Sequence, residues 1–304
     1  MKFFDLQVNG YAGADFSSPR LTPEALHTAC ETLRDDGVDQ ILATIITRPL
    51  NEMEAALRNL VRLREADPLV ERLIAGIHIE GPFLNSEPGY VGAHSPDAVR
   101  AACPEVAKKL LEAAGGLTQV FTLAPEVDQG ARVISFLREQ RVVPSAGHSN
   151  ASLEELKEAI DHGLAMVTHL GNGCPMHLPR HDNIIQRLLS LRHSLWFGFI
   201  ADGHHVELPA LKNYLDLVGA DRSFLVTDAI SAATLGPGLH ELAGMAVEVD
   251  VDGVARRPGS DNLAGSTLRL PDLIQILRND LGLSHEQMKQ LMDRNPRHAI
   301  GMQE

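Results

Sequence analysis

Carboxylates, imidazoles and amides gather in six short segments of this chain: Gln7 and Asn9, His78 and Glu80, His148, His169, His204 and His205, and Asp228. Glu80 in GIHIEGPF, His148 in PSAGHSNA and His169 in AMVTHLGN supply one carboxylate and two imidazoles. That is the donor set of a zinc-type hydrolytic site, which keeps three protein ligands and one open position. An isolated histidine more often fills a polar corner or caps a helix, because buried polar groups routinely serve structure. Three such residues, each closing an apolar run, go beyond what packing requires. Asp228 in FLVTDAI stands apart and suits a proton carrier, able to take a proton from an attacking water and hand it to a departing amine nitrogen. The plain alternative is a helix cap or turn former. His78 is two residues from Glu80 and shares its strand face, where it can orient the carboxylate or simply make a structural hydrogen bond.

Such scatter becomes one site if each segment lies at the carboxyl end of a strand in a (β/α)8 barrel, where side chains far apart in sequence converge. Eight apolar, β-branched runs meet that need: Phe3–Val8, Gln40–Ile46, Leu73–Ile79, Thr118–Leu123, Val142–Ala146, Ala165–Thr168, Leu195–Ile200 and Phe224–Thr227. Helical periodicity and caps between them predict helices over Thr22–Arg34, Asn51–Glu65, Pro96–Ala114, Ser152–Asp161 and Glu207–Val218. After the eighth run, a small hairpin is expected over Gly244–Ala255, turning at Asp252-Gly253, and then helices near Pro271–Asn279 and Ser284–Arg294. The fold class is therefore α/β, a TIM barrel. With no linker, repeat or low-complexity tract, residues 1–304 are expected to form a single domain.

Composition narrows the partners. The 27 basic and 40 acidic residues give a formal charge of −13, which argues against a nucleic-acid or anionic-membrane surface and leaves a small molecule. Cys30, Cys103 and Cys174 lack the close pairing of a zinc knuckle or an oxidoreductase motif. Asp5 interrupts any leader-like apolar stretch at the start, and no run of about 18 apolar residues follows, so a soluble, cytoplasmic protein is expected.

The strings DLQVNGYAGADF, GIHIEGPFLN, GAH at 92–94, AGHSNA, THLGNG, IADGHHV, LVTDA, LAGSTL and NPRHAIGM, in this order, resemble the N-acetylglucosamine-6-phosphate deacetylases of the amidohydrolase superfamily across essentially the whole chain. The resemblance implies a metal-dependent hydrolase that removes acetyl from N-acetylglucosamine 6-phosphate, built on an amidohydrolase-type barrel with the accessory β-sandwich reduced or absent. It implies one divalent ion, because Gln7 and Asn9 stand where other superfamily members carry His-x-His. The ion is expected to be zinc, although the same ligands accept iron, cobalt or manganese. Asp228 matches the catalytic carboxylate and His94 the donor to the developing oxyanion. Substrate contacts carried over are Ala93, His94, Asn172, Gly173, Asp202, Gly203, His204, His205, Leu263, Ala264 and Gly265. Arg180 matches an arginine that reaches the sugar phosphate, often in a second subunit, which implies a homodimer. As a plain loop arginine it would instead pair with Asp182. The chain departs from the family at Tyr90-Val91, at Asn172-Gly173-Cys174 and at His181-Asp182-Asn183. Those departures keep open another N-acetyl amino sugar as substrate, N-acetylgalactosamine 6-phosphate or an unphosphorylated one, and a barrel that binds such sugars without turnover.

Overall fold

A computed structural model describes residues 3–259 and 262–302 of the chain. Its barrel strands are β1 (Phe4–Val8), β2 (Gln40–Ile46), β3 (Ile74–Glu80), β4 (Thr118–Leu123), β5 (Val143–Ala146), β6 (Met166–Val167), β7 (Trp196–Ile200) and β8 (Ser223–Val226). The eight form a single sheet in chain order, each consecutive pair parallel. Each expected apolar run falls on one of these strands, with ends moved by a residue or so. Parallel neighbours cannot be joined by a tight turn, so every step needs a crossover, and helices supply most of it.

Side-chain alternation sorts the apolar residues into two cores. Phe4, Leu6, Leu42, Val120, Met166, Ile200, Phe224 and Val226 cluster with Ala299 and Ile300. Their neighbours along the strands, Ile41, Ala43, Phe121, Leu123, Phe199 and Leu225, pack in the larger cluster with helix residues such as Leu26, Leu57, Leu110 and Leu211. That two-residue period is what a barrel wall with an inside and an outside demands.

Several expectations need correction. The single helix over Pro96–Ala114 is instead a short turn, Pro96–Ala98, and a helix, Pro104–Ala113. Pro104 disfavours helical geometry at the residue before it, and Cys103 is accordingly extended (φ −146°, ψ 117°). The hairpin expected after β8 is present, Met245–Val249 against Ala255–Arg256, but an unexpected strand, Gly238–Leu242, extends it to a three-stranded antiparallel sheet. Its first turn is Ala243-Gly244, both residues at positive φ (50° and 80°), the geometry of a primed hairpin turn carrying none of its usual Asn or Asp. Asp252-Gly253 lies in the second connection. The helices Pro68–Leu73, Arg132–Glu139, Ile184–Ser190 and Asn295–Ala299 were not expected, being too short to show a helical period clearly.

Between β1 and β8 the ladder shrinks to one parallel bridge, Val8 beside Ala229 just past the end of β8. Single backbone bonds link Asp228 N to Gln7 O (3.0 Å) and Asn9 N to Ala229 O (2.7 Å). The buried Asp5 carboxyl group adds side-chain bonds across the join, its oxygens accepting from the Thr227 amide (3.1 Å) and hydroxyl (2.6 Å), and it is steadied on its own strand by the Gln7 amide (3.1 Å). Among the described residues no helix is long and apolar enough to cross a membrane.

Candidate active site

Glu80 is the last residue of β3, while His148 and His169 each lie two residues beyond the end of β5 and β6. All three are buried, and their nearest ligand atoms lie within 4.8 Å of one another. Glu80 Oε1 is 3.2 Å from His148 Nε2 and 3.0 Å from His169 Nε2, while its Oε2 accepts from Gln7 Nε2 at 3.2 Å. His148 Nδ1 donates to the Tyr90 carbonyl at 2.7 Å, which leaves the lone pair on Nε2 facing the cluster. The ring is also clamped from two sides: a Cβ at Gly92 would come within 2.9 Å of it and one at Gly173 within 3.0 Å. His169 Nδ1 is buried without a hydrogen-bond partner, so the contacts at Nε2 are what orient this ring. Two imidazole nitrogens and one carboxylate oxygen, buried and convergent, fit a divalent ion of zinc type.

His148, His169 and Asp228 have positive φ of 52°, 32° and 53°. This left-handed geometry costs on the order of 1–3 kcal/mol per non-glycine residue and persists where the surroundings over-determine it. Here it bends each side chain from the strand end into one cavity of about 250 Å³.

Charge distribution follows from burial and contact. Burial opposes ionisation of Glu80, but the contacts with His148 and His169 hold its carboxyl well below the usual range. Burial lowers the His169 pKa, yet the Glu80 carboxylate outweighs it and leaves the imidazole above its ordinary value. His94 is pushed down to about 3, first by burial and then by the neighbouring His148, so it is neutral. Its Nδ1 accepts from the Thr47 amide (3.3 Å), which puts its proton on Nε2, 3.1 Å from His148 Nε2 and 3.8 Å from Glu80 Oε1. His94 therefore presents a neutral N–H donor to the cluster.

His78 takes the structural alternative. Its ring nitrogens contact the Leu6 carbonyl (3.1 Å) and the Thr122 hydroxyl (2.7 Å), and Thr122 continues through Thr168 (2.7 Å) to Ser145 (2.6 Å). Orientation of the Glu80 carboxylate belongs to Gln7 instead.

The opposite side of the cavity carries Asp228. Asn9 Nδ2 donates to its Oδ1 at 2.7 Å, and burial, only partly offset by the His169 charge, raises its pKa to about 6. The other Asn9 amide atom, Oδ1, is buried without a partner, and Asn9 lines the cavity. On a third side, Asp202 Oδ1 caps the amides of His204 (2.9 Å) and His205 (2.8 Å), and its Oδ2 contacts His205 Nδ1 at 2.6 Å. These contacts, exceeding the cost of burial, lower the Asp202 carboxyl to about 2.

Of the residues expected at the site, Glu80, Ala93, His94, His148, His169, Asn172, Gly173, His204, His205, Asp228, Leu263 and Gly265 line this cavity. Asp202, Gly203 and Ala264 stand behind it, and Arg180 is exposed outside it. Asp182 pairs with Arg187 (2.6 Å), not with Arg180. The sequence reading missed Leu242, Arg256 and Asn262, which enter the cavity wall from the sheet after β8, and Met176 and Cys174 from the loop after β6. The loop residues had a signal in their proximity to THLGNG, and Asn262 in its place beside Leu263; Leu242 and Arg256 had none.

No family model matches the chain. It is 30% identical over 309 residues to the N-acetylglucosamine-6-phosphate deacetylase of Danio rerio, covering 99% of this chain and 74% of that protein. It is 29% identical over 301 residues to the N-acetylgalactosamine-6-phosphate deacetylase of Escherichia coli O157:H7, covering 99% and 77%. The crystal structure of N-acetyl-D-glucosamine-6-phosphate deacetylase from Mycobacterium smegmatis superposes with a TM-score of 0.89 at 28% identity, over 99% of this chain and 78% of that one. With a strand-end carboxylate and two imidazoles facing a buried aspartate in a parallel barrel, and with this likeness along nearly its whole length, the chain belongs to the N-acetylglucosamine-6-phosphate deacetylase family and is an enzyme.

Proposed function

We propose that the protein hydrolyses the acetamide of N-acetylglucosamine 6-phosphate, giving glucosamine 6-phosphate and acetate. The observation that carries this reading is the convergence of Glu80, His148 and His169 opposite Asp228 in one cavity of a chain from this family. Glu80, His148 and His169 would hold one divalent ion, zinc or else iron, cobalt or manganese. When bound, that ion polarises the amide carbonyl and makes water more acidic.

The chain's own residues do the rest. Asp228, with a pKa near 6, takes the proton of the attacking water as its oxygen bonds to the carbonyl carbon. It then delivers that proton to the amide nitrogen as the C–N bond breaks, so acetate and a free amine leave and the carboxylate is restored. His94 Nε2–H donates to the carbonyl oxygen as negative charge grows there, and its low pKa keeps it a neutral donor. Asn9 holds Asp228 in place. His205, aimed by Asp202, and the Asn172-Gly173 and Leu263–Gly265 segments would contact the sugar.

Arg180 is read as a phosphate ligand supplied to a neighbouring subunit, which makes the working form a homodimer. The enzyme is read as cytoplasmic, the compartment in which sugar phosphates are retained. The Escherichia coli relative's name supports a second substrate, N-acetylgalactosamine 6-phosphate. The test is acetate release from both phosphorylated sugars and from their unphosphorylated forms, with metal-loaded and chelated enzyme. No release from either phosphorylated sugar by the metal-loaded protein would overturn the reading.

A further inference from the structure

A sugar phosphate must enter a cavity that already holds the carboxylates of Glu80 and Asp228, in a chain of formal charge −13. Among the described residues lining that cavity, Arg256 is the one arginine or lysine. It ends the third strand of the sheet after β8, and its backbone is held on both edges, opposite Glu248 on one side and Leu263 on the other. Flanking bonds from Ala264 N to Ala255 O (3.0 Å) and from Arg257 N to Asn262 O (3.3 Å) lock that register. Antiparallel partners project to the same face, so Arg256 stands beside Leu263, itself part of the cavity wall.

The guanidinium is aimed as well as placed. Nη1 donates to Asp250 Oδ2 at 2.8 Å, and Asp250 Oδ1 is fixed by the amides of Asp252 and Val254, both at 2.9 Å. One donor is thereby spent on orientation. The rest of a planar fork, on a side chain 40% exposed, remains to face a ligand.

We propose that Arg256 binds the substrate phosphate within the same chain, so that the small sheet after β8 sets the preference for phosphorylated sugar. This rests on the reading of the site as an amino-sugar-phosphate deacetylase. An arginine fork matches the geometry of phosphate oxygens, and a bond between two charged groups is roughly twice as strong as a neutral one.

The test compares wild type, Arg256→Ala, Arg256→Gln and Arg256→Lys in acetate release from N-acetylglucosamine 6-phosphate and from N-acetylglucosamine, with circular dichroism as a check on folding. Arg256→Gln is shorter but keeps an uncharged amide donor and part of the apolar stem, and Arg256→Lys keeps both charge and reach, so these variants stay informative where Arg256→Ala misfolds. In the folded variants the loss on the phosphorylated sugar should exceed that on the unphosphorylated sugar by roughly ten-fold or more, chiefly in KM, with partial rescue by lysine. Inorganic phosphate should inhibit the wild type competitively and the alanine and glutamine variants by a similar factor less. Equal losses on both sugars, or unchanged inhibition by phosphate, overturn the assignment and leave Arg256 as a structural partner of Asp250. Wild-type protein inactive on both N-acetylglucosamine 6-phosphate and N-acetylgalactosamine 6-phosphate removes the underlying reading, and the assignment with it. Wild-type activity combined with neutral Arg256 variants removes the assignment alone.

Discussion

The two sides of the cavity are held by different physics. Glu80, His148 and His169 come from strands that the parallel ladder already aligns, and outside groups such as the Tyr90 carbonyl and the Gln7 amide set the direction of their donor atoms. The β1–β8 side lies at the ends of the sheet order, and there a few backbone bonds are supplemented by polar side chains. Asp5 reaches Thr227 across 222 positions, and Asn9 reaches Asp228 across 219. A functional residue can thus inherit its position from a regular sheet, or it can belong to the contacts that complete the sheet. Asp228, the proposed proton carrier, is of the second kind.

The largest effect is expected on the ligand side. Glu80→Ala should lose the divalent ion and with it all measurable acetate release, while the fold survives; metal analysis and a thermal melt check both halves. Retention of one ion per chain in this variant would show that the donor set lies elsewhere.

Next is the β1–β8 side. Asp228→Asn should retain the ion and the fold but reduce turnover by a factor on the order of 10² or more, since an amide cannot carry the proton. If the ion were lost as well, the two sides would be a single unit and the contrast drawn above would be wrong.

A subtler change on the ligand side is Gly173→Ala, whose new methyl would press on the clamped His148 ring. Disturbing the groups that orient a metal ligand typically costs about 10–100-fold in affinity or activity, and a metal titration should show a shift of that size.

The smallest effect is a pH slope from the join between β1 and β8. Burial, against the hydrogen bonds from Thr227 and Gln7, raises the Asp5 carboxyl from its ordinary 3.8 to about 7. The folded state therefore keeps a proton that the unfolded chain releases near 3.8. The stabilisation by that proton is complete below this value and declines as pH rises toward about 7. Asp5→Asn should remove the slope, so the variant gains on the wild type by up to about 1.4 kcal/mol per pH unit across this window. Parallel stability curves in denaturant titrations at pH 4.5, 5.5 and 6.5 would count against a protonated Asp5.

Most of the barrel was legible in the sequence, because a two-residue period and a helical period are local properties. Exceptions arose where local signals were weak or misleading. Pro104 split a helix whose apolar pattern ran on, and Ala243-Gly244 made a turn without the expected residue types. The candidate ligand triad was legible for a similar reason: each member ends or closely follows an apolar strand run, and the barrel brings strand ends together.

By itself, then, the sequence determined the strands, the donor types and the family to which they point. Tertiary structure alone decided how those donors are used. His94 bears its proton on Nε2 because the Thr47 amide occupies Nδ1, and His78 is withdrawn from the site because Thr122 and the Leu6 carbonyl claim its ring. Arg180 lies outside the cavity of its own chain, and Arg256 lies inside it. Spacing along a chain encodes which face a side chain takes. Which nitrogen is protonated, and which cation lines the cavity, depends on groups tens to hundreds of residues away that only folding brings together.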